Sequence, residues 1–198
     1  MRFNQLRSDE QLIQEFFKFD NFKISPNGVV VYGPSQMKKM PVGDEFNNAL
    51  PVKFARAIGD FTINSMDLTS LEGCPKVIEG GEFSCAYNKL TSLEGGPIAV
   101  GGDYLCHYNP LISLSGLPSM ITNRIVLSYN ENLPLLKLLF IKELKGIQLT
   151  GYRSITGSII SKILNKYLGT GKPGALACAA ELTKAGFKGN ARLWGCMK

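Results

Sequence analysis

Between residues 59 and 136 apolar and polar positions recur in one order. The plainest copy has apolar residues at Phe83, Cys85, Leu90 and Leu93, an asparagine at Asn88, then Gly95 and Pro97. The opening apolar position falls at Phe61, Phe83, Tyr104 and Ile125, in steps of 22, 21 and 21 residues. The hexapeptide Leu-Thr-Ser-Leu-Glu-Gly is written identically at residues 68–73 and 90–95. A fixed period of this size predicts a solenoid, in which each coil buries its apolar face only against its neighbours.

The phrase reads apolar-x-apolar-x-x-Asn-x-Leu-x-x-Leu, the spacing of a leucine-rich repeat: a short strand, a turn and a return segment. Alternate strand residues point the same way, so Phe83 and Cys85 are expected inward and Ser84 and Ala86 outward. Asn88, Asn109 and Asn130 mark the exit from the strand, where an amide side chain can bond backbone groups of neighbouring coils. Leu68, Leu90, Leu111 and Leu133 re-enter the core. Gly73-Cys74-Pro75, Gly95-Gly96-Pro97 and Gly116-Leu117-Pro118 keep the return extended, since proline cannot continue a helix. Met66 replaces the asparagine in the first copy, as suits a unit near an end. In the fourth, residues 134–144 read as helix, and Ile147-Gln148-Leu149 as a further strand.

The flanks carry other patterns. Residues 5–18 predict a helix with Leu6, Leu12, Ile13, Phe16 and Phe17 on its apolar face and Ser8-Asp9 at its start. Residues 24–28 predict a turn, 29–32 a strand and 41–49 a polar loop; together 24–58 read as a divergent first coil. Residues 154–168 predict a helix, 169–174 a break, and 175–185 a second helix ended by Gly186. The expected fold is an α/β solenoid, a leucine-rich-repeat-like stack of about five to six short parallel strands. Residues 1–23 form an N-terminal helical cap, 24–150 the solenoid and 151–198 a basic helical C-terminal cap.

Composition narrows the classes. In 198 residues, 44% hydrophobic and 19% charged, the chain has the makeup of a soluble globular domain with a sizeable core. It has no membrane-length apolar run, and its first residues lack the hydrophobic core of an export signal. The five cysteines include Cys85 and Cys106 at equivalent inward positions, expected as reduced core thiols; their spacing matches no zinc pattern. The net charge of +6 is uneven. Residues 61–136 sum to −4 and residues 137–198 to +9, so the body is mildly acidic and the C-terminal cap basic. Gly169-Thr170-Gly171-Lys172 does not qualify as a phosphate loop: the spaced leading glycine is missing, and Pro173 stands where Ser or Thr would bind magnesium.

The run Gly-Glu-Phe-Ser-Cys-Ala-Tyr-Asn-Lys-Leu-Thr-Ser-Leu-Glu-Gly-Gly-Pro at 81–97 resembles the short leucine-rich-repeat-like proteins encoded by tailed bacteriophages. The segment from Lys166 to Arg192 resembles the ending of such proteins. The resemblance implies a phage origin and the solenoid fold, with little chemistry attached. The Leu-Thr-Ser-Leu phrase is also similar to the repeats of secreted bacterial effectors that carry a ubiquitin ligase domain. The residues after 150 leave no room for that domain, so the likeness is confined to the repeats.

Candidate functional residues follow from the outward strand positions. Ser84, Tyr87, Leu105, His107, Tyr108, Val126, Ser128 and Tyr129 are expected on the open strand face. Tyr87 is placed outward because the strand should already be bending there. Tyr87, Tyr108 and Tyr129 are spaced at 21 and should stack as a ladder, either as interface anchors or as packing near the turn. His107, the only histidine, has no recurring acid or nucleophile partner, so no catalytic, metal or cofactor site is expected. The function so indicated is a non-enzymatic protein-interaction module, binding a host or phage protein and no membrane or small-molecule substrate. It would work in the cytoplasm of the infected cell or in the virion. The alternatives are nucleic-acid binding through Lys162, Lys166, Lys172, Lys184, Lys188 and Arg192, and a structural part of the virion.

Overall fold

A computed structural model describes residues 7–38, 48–151 and 154–192; the predicted Leu6 contact and most of the predicted loop at 41–49 lie outside these residues. A helix, α1 (Asp9–Phe16), leads into β1 (Phe17–Lys18), β2 (Asn21–Ser25), β3 (Gly28–Tyr32) and β4 (Ser35–Met37). The coils continue with β5 (Phe54–Ile58), β6 (Phe61–Thr62), β7 (Val77–Glu79), β8 (Phe83–Ser84), β9 (Ala99–Val100), β10 (Tyr104–Leu105), β11 (Met120–Ile121), β12 (Arg124–Ser128) and β13 (Gly146–Thr150). Two helices follow, α2 (Ser154–Lys166) and α3 (Gly171–Lys184).

The chain winds as a β-solenoid of about five turns. One sheet runs β1-β4-β6-β8-β10-β12-β13, parallel except for β1 against β4. Phe61, Phe83, Tyr104 and Ile125 stand in register on neighbouring parallel strands. A second sheet, β11-β9-β7-β5-β3-β2, lies on the return side and was not expected from the repeat phrase. Each coil therefore holds two short strands instead of one. The predicted single coil over 24–58 divides: β3 and β4 belong to one coil, and β5 opens the next. The predicted helix over 134–144 is a 3-10 segment, Leu135–Phe140. The break predicted at 169–174 is shorter, because α3 starts at Gly171 and takes Pro173 into its first turn, where a missing amide hydrogen does no harm.

Between the sheets the inward residues form one continuous core. Its spine is aromatic. Phe17 packs edge-on against Phe54 at 4.9 Å, Phe54 against Phe61 at 5.0 Å, and Phe83 sits 5.1 Å from Tyr104. Cys74, Cys85, Cys106 and Cys178 are free and buried, and burial raises their thiols, Cys178 to about 12. The Tyr104 hydroxyl is the misfit. It is buried without a hydrogen-bond partner among the described residues, and its polar neighbours are the weakly accepting thiols of Cys85, Cys106 and Cys74. Phenylalanine already fills the equivalent place at Phe61 and Phe83. Tyr104→Phe is expected to raise stability by about 1 kcal/mol, because a buried unpaired hydroxyl disappears with no loss of ring packing. A lower urea midpoint for the variant would contradict this.

Asparagines tie the coils where the strands end. Asn88 accepts from the backbone amides of Met66 (2.9 Å) and Leu68 (3.1 Å) and donates to the carbonyls of Ile63 (2.8 Å) and Cys85 (3.0 Å). Asn109 repeats the pattern one coil on, accepting from Leu90 and donating to Cys85 and Cys106. The C-terminal helices then occupy the end of the stack. Asn165 of α2 accepts from the Ile147 amide and donates to its carbonyl, and Ser161 accepts from the Leu149 amide. These side chains take the place of a further strand along the edge of β13, which is how a sheet edge avoids stray pairing.

Candidate functional site

The site expected from the repeat is the face of the first sheet near the strand exits. Tyr87 and Tyr108 have left-handed backbone, with φ of 58° and 54°. That conformation is rare for bulky residues and persists only where the surroundings impose it. Here the imposition is visible: the Tyr87 amide donates to the His107 carbonyl (3.1 Å), the Tyr108 amide to Ser128 Oγ (2.6 Å), and Asn88 and Asn109 lock the next residue. The left-handed step turns both rings out of the core, against strict strand alternation. They are 53% and 47% exposed and stack face to face, 4.5 Å between centroids and 14° between planes.

His107 completes the cluster. Its ring stands edge-on to Tyr87 at 5.5 Å and to Tyr108 at 5.4 Å, and its Nδ1 is buried without a hydrogen-bond partner among the described residues. Burial holds the imidazole below its ordinary value of 6.5. The unfolded chain therefore takes up a proton first as pH falls through 6.5, and stability declines from there toward the lower folded value. Native protein is expected to lose more urea resistance between about pH 7.5 and about pH 5.5 than His107→Gln does, since the chain has one histidine. An imidazole NMR titration with a midpoint at or above 6.5 would contradict the sign.

The other predicted residues divide. Leu105, Ser128 and Tyr129 are half-buried, and Tyr129 packs against the core. Ser84 and Val126, expected on the open face, are buried at 2% and 6% exposure. The correction has a physical cause. Asn64 lies across the face, accepting from Ser84 Oγ (2.9 Å) and from the Ala86 amide (2.7 Å), so Ser84 is spent on a bond between coils. Strand alternation says which way a side chain points, not what covers it. The sequence places Asn64 outward with Thr62 and Ser65 but does not mark its bond to Ser84, because in the first copy it stands at the position of Ala86 and His107 and repeats nowhere. Ser65 holds the same left-handed position one coil before Tyr87, so the tyrosine stack stops at a small residue there.

Lys162 on α2 and Lys172 and Lys184 on α3 are exposed, as are Lys188 and Arg192 after the last helix. Lys166 is exposed too but engaged, its Nζ 2.8 Å from Glu181 Oε2. Among the described residues no group of three or more His, Cys, Asp or Glu is placed to hold a metal ion, and no helix is long and apolar enough to cross a membrane. The fold and this face define a class, a parallel-stranded solenoid with an aromatic cluster at the strand exits. Compared with known proteins, the chain matches no family model, no curated protein and no solved structure.

Proposed function

We propose that the chain is a non-enzymatic protein-interaction module, of the leucine-rich-repeat-like type encoded by tailed bacteriophages, that binds a host or phage protein through its tyrosine cluster. The single observation that carries this reading is the Tyr87–Tyr108 pair, two half-exposed rings fixed by the backbone in one orientation. Tyrosine offers a large apolar area, a polar tip and few rotors, and prior rigidity lowers the entropy lost on binding. Holding two bulky residues in the left-handed region opposes folding, and a contact surface gives that strain a use. The asparagine bonds between coils support the leucine-rich-repeat-like reading, and the phage connection rests on the wording of residues 81–97.

Affinity capture from phage-infected bacteria tests the proposal, comparing native chain with a Tyr87→Ala/Tyr108→Ala variant shown by circular dichroism to be folded. Native protein is expected to recover a specific phage or host protein that the variant loses. Equal recovery by both would remove the tyrosine cluster as the contact surface.

A further inference from the structure

The outward faces of α2 and α3 carry apolar side chains that the solenoid does not use. On α2, Ile155 is 78% and Ile159 44% exposed. One turn on, Ile163 lines a groove of about 540 Å³ together with Ala180, Glu181, Lys184 and Ala185. On α3, Leu176 is 50% exposed and precedes Ala180 by one turn. Helical spacing continues two apolar stripes, 155–159–163 and 176–180, away from the groove, whose own lining holds Ile163 and Ala180. Ile163 is 8% exposed and belongs to the core, whereas Ile155, Ile159 and Leu176 take no part in the packing of the helices, which uses Ile160, Ile163 and Leu164 on α2 and Ala175, Cys178, Ala179 and Leu182 on α3. Isoleucine is also not a residue that helix propensity favours on a surface.

The charges beside the groove are mostly positive. Lys184 lines it, and the exposed Lys162 lies three residues after Ile159 on α2, with Lys188 following α3 on the chain. The carboxylate there, Glu181, is engaged by Lys166 Nζ (2.8 Å) and the Tyr167 hydroxyl (2.6 Å). We propose that the α2–α3 groove docks an amphipathic helical segment of a partner protein, its apolar side on Ile155, Ile159, Ile163, Leu176 and Ala180 and its flanks acidic. Apolar anchors at helical spacing and complementary charge are how an amphipathic helix is held in a groove. A nucleic acid would use the lysines and leave the isoleucines idle. A bilayer would suit a convex apolar edge better than a groove. The site is separate from the tyrosine cluster and does not depend on the function proposed for it.

Random peptides of about 16 residues, between four and five helical turns, displayed and panned against the full chain, test the proposal. Enriched sequences are expected to repeat apolar residues at three and four and to carry Asp and Glu between them. A synthetic peptide from that set should bind with a Kd on the order of 10 µM by fluorescence anisotropy. Ile159→Glu and Lys184→Glu, both at exposed sites, should each weaken it about tenfold, as should raising salt from about 50 to about 300 mM. No enrichment, enrichment without acidic residues, or binding unchanged by Ile159→Glu overturns the proposal. So does tighter binding to phosphatidylglycerol vesicles or to single-stranded DNA that survives Ile159→Glu, which would make the surface an anionic-polymer or membrane site.

Discussion

Gly81→Ala is expected to destabilise the protein by about 3 kcal/mol or more, lowering the melting temperature by roughly 10 °C. Gly81 sits at the corner between the two sheets, in direct contact with the coil before it. An alanine methyl would fall inside the carbonyl group of Gly59 and 2.5 Å from the amide nitrogen of Asp60. Neither can step aside. The Gly59 amide donates to Glu79, the Phe61 amide to Glu82, and the Glu82 amide to Asp60 Oδ1, so moving that corner breaks bonds between coils. The clash recurs one coil later, where a methyl on Gly102 would lie 2.6 Å from the Gly81 carbonyl oxygen. Gly80→Ala is the control. It meets nothing within 4 Å, though its φ of 67° disfavours a side chain, so a loss of about 1 kcal/mol is expected. Similar losses at the two neighbours, measured by urea unfolding, would show that close approach of the coils is not what Gly81 serves.

Asn88→Ala is expected to be as damaging, at roughly 3–5 kcal/mol. The side chain is 7% exposed and bonds to three segments of backbone at once. Its removal leaves the amides of Met66 and Leu68 and the carbonyl of Ile63 without that partner, the last two at fully buried residues. An unpaired buried group costs about 1–3 kcal/mol, and alanine leaves a space the size of the amide besides. Asn130→Ala gives the scale. Asn130 is half-buried, donates to the Leu111 carbonyl and accepts from the Asn132 amide, so a loss of about 1 kcal/mol is expected. If the two variants melt together, the asparagines act as turn formers and not as ties between coils.

How much of this was legible in the chain varies from residue to residue. The register of Phe83, Tyr104 and Ile125 could be read from spacing alone, and so could the use of Asn88 and Asn109. The outward turn of Tyr87 followed from the bend after the strand, and its cause is now a left-handed residue. The exposed stripe of Ile155 and Ile159 was read as part of one apolar helix pattern, because periodicity does not distinguish a face packed on the molecule from one left open.

The sequence by itself determined the coil length, the line of the core and the places where asparagine joins one coil to the next. In a solenoid each of these depends on identical neighbours, and identity is what a repeat displays. Only the tertiary structure decided that the return side forms a second sheet. Its strands, such as Ala99–Val100 and Met120–Ile121, are too short to show a period of two and exist through bonds to residues one coil away. It also decided that Asn64 covers Ser84, and that Asn165 and Ser161 finish the edge of β13. Those contacts join unlike segments, and no periodicity records them.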